Sequence, residues 1–94
     1  MKTATAVLYK HSTRCHISGF AIRKMENFVL HHPDIPVYFV KVVEQRTLTQ
    51  YITERTNIRH ESPQVIVIRH GKPVWNGSHE DVTETALAKQ VLSM

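Results

Sequence analysis

Residues 5–18 read Thr5-Ala6-Val7-Leu8-Tyr9-Lys10 and then His11-Ser12-Thr13-Arg14-Cys15-His16-Ile17-Ser18, and the change of character between the halves decides the fold. The first half is short, apolar and partly β-branched, the pattern of a buried strand. The second is polar and opens a helical periodicity. Ile17, Phe20, Ala21, Met25, Phe28 and Val29 fall at i, i+3, i+4, i+8, i+11 and i+12, one stripe of a helix. Ser12 or Thr13 is placed to cap that helix by accepting a hydrogen bond from a free first-turn N–H. His31-His32-Pro33 ends it.

Working outward, Pro36 introduces Val37-Tyr38-Phe39-Val40-Lys41-Val42-Val43, a nearly continuous apolar run suited to a strand covered on both faces. Thr47 and Gln50 form a capping-box pattern for a helix running to about Asn57. Val65 to Arg69, the turn His70-Gly71-Lys72-Pro73 and Val74-Trp75-Asn76 read as a hairpin, with Trp75 in the core. Asp81 and Glu84 offer a second box, ahead of an amphipathic helix carrying Val82, Ala86, Leu87 and Val91. The order is β-α-β-α-β-β-α. A strand–helix–strand unit demands parallel pairing through a right-handed crossover, and the hairpin adds antiparallel neighbours. The sheet is therefore mixed and four-stranded, with helices on both faces. This α/β three-layer sandwich is the succession of a thioredoxin-like domain, expected to span residues 1–94 as a single unit.

Composition agrees with that reading. With 94 residues, 41% hydrophobic and 21% charged, the chain can form one modest core and is too apolar for intrinsic disorder. The net charge of +4 comes from Lys and Arg scattered from Lys2 to Lys89, without the dense run of a nucleic-acid footprint. No apolar run approaches the roughly 18 residues of a membrane span, and Met1 to Val7 lacks the apolar stretch of a secretory signal. Cys15 is the single cysteine. It cannot close a disulfide within the chain, so a reducing, cytoplasmic location is expected, with neither nucleic acid nor membrane as partner.

Cys15 lies where the first long helix begins. There, free N–H groups and the positive end of the helix dipole favour an anion, and His11, Arg14 and His16 add potential positive charge. A thiol so placed ionises below the free value of about 8.5 and becomes a nucleophile near neutral pH. Cys15-His16-Ile17-Ser18 is C-x-x-S, with Ser18 one helical turn on, where a dithiol site has its resolving cysteine. The Ser18 hydroxyl can donate to the thiolate. Pro63 opens the third strand. In thioredoxin-like domains this position carries a cis-proline facing the thiol, and the residue before it, here Ser62, offers backbone groups to the bound thiol compound. Zinc on Cys15, His11 and His16 would lack a fourth ligand, and no second Cys/His pair stands at finger spacing. No metal and no resident cofactor are expected.

Lys10-His11-Ser12-Thr13-Arg14-Cys15-His16-Ile17-Ser18 resembles the K-H-S-x-x-C-P-x-S signature of the monothiol bacilliredoxins, the YtxJ-like proteins of bacillithiol metabolism. Arg59-His60-Glu61-Ser62-Pro63-Gln64-Val65 is similar to that family's R-H-E-S-P-Q-V, and Val74-Trp75 and Ser78-His79 match its V-W and S-H. The likeness runs from about Ala6 to Val91. It implies a thioredoxin-fold oxidoreductase that removes bacillithiol, or a similar low-molecular-weight thiol, from mixed disulfides with client proteins. Cys15 would be the attacking thiol, with Ser18 and His16 beside it. Because bacillithiol bears a malate, Lys10, Arg14 and His60 are its expected partners on charge grounds, with Ser62 and Pro63 completing the substrate site. His16 stands where the family has proline, restoring an N–H donor and a potential charge next to the thiolate. Two other readings are a non-catalytic thioredoxin-like module that binds a thiol or a protein, and a dimeric iron–sulfur carrier of the monothiol-glutaredoxin type. The latter carry C-G-F-S, which this chain lacks.

Overall fold

A computed structural model describes residues 5–12, 16–78 and 81–92. The order is β1 (Thr5–His11), α1 (His16–His31), β2 (Val37–Lys41), α2 (Arg46–Thr56), β3 (Gln64–Arg69), β4 (Lys72–Ser78) and α3 (Glu84–Leu92). The four strands form one sheet in the order β2-β1-β3-β4. β1 pairs in parallel with β2, Val7 opposite Val37 and Lys10 opposite Val40. It pairs antiparallel with β3, Tyr9 opposite Val65 and Lys10 opposite Gln64. The mixed sheet expected from the element order is therefore present.

Strand alternation divides the core in two. Val7, Tyr9, Val65 and Val67 meet Ala21, Met25 and Phe28 of α1 and Leu87 and Val91 of α3. On the opposite face Val40 and Ile66 meet Ile52 of α2. The α1 stripe is narrower than its sequence suggests: Ala21, Met25 and Phe28 are buried, whereas Phe20 is 64% and Val29 38% exposed. Only a sector about one residue wide per turn faces the sheet, and Ile22 takes the flank of that sector expected of Phe20.

β2 is also not covered on both faces as its apolar run suggests. It is an edge strand, ends at Lys41, and leaves Tyr38 57% and Phe39 44% exposed. The chain leaves β2 through a turn in which the Gln45 side-chain oxygen accepts from the Lys41 N–H at 2.9 Å. That engagement moves the start of α2 ahead of the expected box. Gln45 sits at the N-cap position without a side-chain cap bond, and Thr47 lies inside the helix. Asn57, left-handed at φ 57°, closes α2.

The β3–β4 turn has only two central residues, His70 (φ 55°) and Gly71 (φ 78°), so Lys72 and Pro73 belong to β4 and not to the turn. Positive φ at both positions matches the twist of the flanking strands. Pro73 is tolerated because β4 is an edge strand with a register shift between Val67 and Ile68. Trp75 is partly buried against the larger core. α3 begins two residues later than the Asp81 box implies. Thr83 is its cap, accepting from the Ala86 N–H at 3.1 Å, and Val82 before the cap packs into the same core as Leu87, a hydrophobic staple. Among the described residues, no helix is long and apolar enough to cross a membrane.

Candidate functional site

Three described segments converge where β1 ends at His11, β3 begins at Gln64, and α2 begins at Arg46. Parallel pairing places the ends of β1 and β2 side by side, and the Val42 N–H donates to the His11 carbonyl at 3.0 Å, extending that edge. The antiparallel β3 starts there, so residues 59–63 come back to the end of β1. The chain then enters α1 at His16, with no acidic side chain in the first turn.

Arg14 and Cys15 lie outside the described residues. His16 and Ser18 are placed by their backbone as the first and third residues of α1. The Ser62–Pro63 peptide bond is cis, and Pro63 is fully buried. The other expected site residues come together. Lys10 is completely covered, yet it carries an ammonium; its Nζ lies 3.3 Å from Nδ1 of His60, fifty positions away in sequence. Burial lowers the Lys10 pKa from its ordinary value. Burial, and then the charge of Lys10, lower that of His60, with Glu61 acting in the opposite direction. With Lys10 Nζ as the donor, His60 accepts through Nδ1, which puts its ring proton on Nε2. Lys10, expected on charge grounds as a partner of the anionic thiol, thus stands behind His60 with no exposed surface of its own.

Sequence reasoning missed Gln64. It is 1% exposed, and its Nε2 donates to the Arg59 carbonyl at 3.0 Å and to Ser78 Oγ at 3.4 Å, which ties the 59–63 segment to the sheet. Its Oε1 and Ser62 Oγ are buried without a hydrogen-bond partner among the described residues. The signal was a lone polar residue at the head of the apolar run Val65 to Ile68. On the α1 side, the Tyr9 hydroxyl meets His11 Nδ1 at 3.1 Å, and Tyr9 packs edge-on against Phe39. At the end of α1, exposed His31 bonds Glu84 of α3 and His32 lies against Phe28. Among the described residues, no group of three or more His, Cys, Asp or Glu is placed to hold a metal ion.

The model of the family described as monothiol bacilliredoxin BrxC matches residues 1–87. The chain belongs to the monothiol bacilliredoxin family. A solved structure described as a candidate oxidoreductase with a thioredoxin fold is 34% identical, superposes with a TM-score of 0.84, and is matched over 94% of this chain and 78% of that one. Thioredoxin-2 of the malaria parasite superposes at 0.83 with 16% identity, over 100% of this chain and 86% of that one. Fasciola hepatica thioredoxin superposes at 0.76 with 19% identity, over 96% and 80%. The two thioredoxins establish the fold. Family and fold together make this bacilliredoxin a thiol oxidoreductase.

Proposed function

We propose that the chain removes bacillithiol, or a closely similar small thiol, from protein mixed disulfides, with Cys15 as the attacking group. The observation that carries this reading is the bacilliredoxin match over residues 1–87, in a chain whose only cysteine immediately precedes α1. In the first step the Cys15 thiolate attacks the bacillithiol sulfur of the mixed disulfide. The old S–S bond breaks, the client leaves as its thiolate, and Cys15 carries bacillithiol in a new disulfide. A second bacillithiol thiolate then attacks the sulfur of the carried bacillithiol, giving oxidised bacillithiol and regenerating Cys15. Each step exchanges one S–S bond for another, and the two electrons end on the client thiol.

The chain's own residues have limited parts in this scheme. The start of α1, without an acidic residue in its first turn, favours the thiolate. Ser18 offers a hydroxyl where a resolving thiol would stand, so the carried disulfide waits for an external thiol. The Ser62 backbone pairs with the bound disulfide, and the 59–63 segment that presents it is anchored by Gln64. Exposure of the protein, in parallel, to oxidised bacillithiol, glutathione disulfide and coenzyme A disulfide tests the reading by intact mass. One adduct per chain on Cys15, forming fastest with bacillithiol, is expected. Equal rates with all three would refute the assignment of the small thiol, and no adduct with any would refute the activity.

A further inference from the structure

A cleft of about 580 Å³ opens beside the end of β2 and is lined by Val42, Arg46, Thr49, Gln50, Glu54 and His60, with Thr53 completing one wall. Its volume is that of a small-molecule site. It shares His60 with the Lys10 pair, so it adjoins the end of the sheet from which the chain enters the Cys15 segment.

The polar groups in the cleft are arranged with a direction. Arg46 is the first residue of α2 and makes no ion pair among the described residues; the first turn of that helix holds no acidic side chain. Arg46, Gln50 and Glu54 follow at i, i+4 and i+8 and so share one helix face, with Glu54 about 12 Å from Arg46 along the axis. His60 stands in the same lining. Its Nδ1 is engaged by the buried Lys10 Nζ, which leaves Nε2–H as the donor, backed by a side chain that solvent does not reach. One part of the cleft is therefore rich in donors and cationic. The carboxylate in the lining is that of Glu54, towards the other end, while Arg55 beside it in the last turn of α2 lies over Tyr51 and not in the lining. A ligand with carboxylates at one end is attracted to the first part and repelled from the second.

We propose that this cleft is the subsite for the carboxylates of the small thiol, with Arg46 and the Lys10-backed His60 as the donors that grip them and Glu54 as the group that sets their direction. The proposal rests on the reading of Cys15 as the attacking thiol and adds what selects the thiol. Bacillithiol carries its two carboxylates on a malyl group remote from the sulfur, so a subsite for them is distinct from the group that attacks the disulfide. Small disulfides without an anionic end gain nothing from it.

Two measurements test the subsite. In the first, exchange rates of Cys15 with oxidised bacillithiol and with neutral hydroxyethyl disulfide are compared as a ratio. A charge-assisted contact at a partly exposed site is worth about a tenfold effect, so Arg46→Glu should lower the ratio by about tenfold or more. Lys72→Glu, the same charge change at an exposed residue beside the β3–β4 turn, should leave the ratio as it is. In the second, L-malate is titrated into the Cys15→Ser protein, and amide shifts are followed by NMR. Saturable shifts at Arg46, Gln50 and His60, lost in Arg46→Glu, are expected. If the ratio is unchanged in Arg46→Glu and malate shifts none of these amides, the subsite is wrong while the Cys15 reading stands. If malate binds there but bacillithiol never forms an adduct, the subsite stands as a dicarboxylate site and the Cys15 reading falls.

Discussion

Replacing Lys10 by methionine should make the protein more stable and a poorer bacilliredoxin. Lys10 has no exposed surface, and the hydrogen bond its ammonium makes is the 3.3 Å contact with His60. Burial lowers its pKa, which means that the folded state disfavours the charge it holds. Methionine keeps the length of the stem and removes the charge. Exchanging buried charged groups for apolar residues of similar volume is neutral to stabilising by about 1–4 kcal/mol, and loss of the hydrogen bond offsets about 1 kcal/mol. The net gain is about 0–3 kcal/mol, and for a chain of this size each kcal/mol raises Tm by about 4–8 °C.

The pH dependence gives the experiment a second axis. The unfolded chain holds the Lys10 proton up to the ordinary value of 10.5, and the folded chain releases it earlier. Between those two values the unfolded state binds more protons, so wild-type stability rises with pH there, and Lys10→Met lacks this contribution. The advantage of the variant is therefore complete below the folded pKa and shrinks as pH approaches 10.5. Urea unfolding of both proteins at pH 7 and near pH 10 measures it. A variant less stable than wild type at pH 7, or a stability gap that does not change with pH, would refute the argument that Lys10 is a cation held at a cost in stability behind His60.

Three other substitutions probe separate parts of the account. Thr83→Ala removes the cap bond to the Ala86 N–H and should cost about 1 kcal/mol in denaturant unfolding, whereas Asp81→Ala should cost much less. Gly77→Ala brings a Cβ to 2.6 Å from the Trp75 ring and 3.4 Å from Asp81 Cβ; it should cost about 1–3 kcal/mol and change the Trp75 fluorescence, and an unchanged stability would show that the ring yields freely. Ser18→Cys should divert the carried disulfide into an internal bridge between Cys15 and the introduced thiol, because intramolecular attack has a high effective concentration. Mass spectrometry would then show loss of two hydrogens in place of the bacillithiol adduct, and persistence of the full adduct would mean that Ser18 does not occupy the resolving position.

The parts of the molecule legible in the sequence are those set by periodicity and by contiguous motifs. The short apolar runs Thr5 to Lys10 and Val65 to Ile68, and the i, i+4, i+7 buried triplet Ala21, Met25 and Phe28, correspond to the observed β1, β3 and α1. Sheet order was less legible, because an apolar run such as Val37 to Val43 does not reveal whether it lies at the centre or the edge of a sheet. Caps were ambiguous for a similar reason. Asp81-x-x-Glu84 and Thr47-x-x-Gln50 satisfy the box pattern, but packing of Val82 and the Gln45–Lys41 turn move both helix starts. In the site, Lys10 and His60 were legible as charged candidates within motifs, but their direct contact was not, since it joins residues fifty positions apart through the β1–β3 pairing. Arg46 carried no motif at all. Its place in the cleft comes from the start of α2 beside the end of β2.

The most direct test of the central claim follows the small thiol from its client to this chain. A client protein bearing a single bacillithiol mixed disulfide is mixed with an equal amount of the reduced chain, and both intact masses are read over time. The account predicts that the client loses the bacillithiol mass while the chain gains it on the peptide containing Cys15, and that addition of free bacillithiol then clears the chain. The Cys15→Ser protein should leave the client unchanged. A client that keeps its bacillithiol in the presence of the wild-type chain, at a concentration where Cys15 is fully reduced, would contradict it.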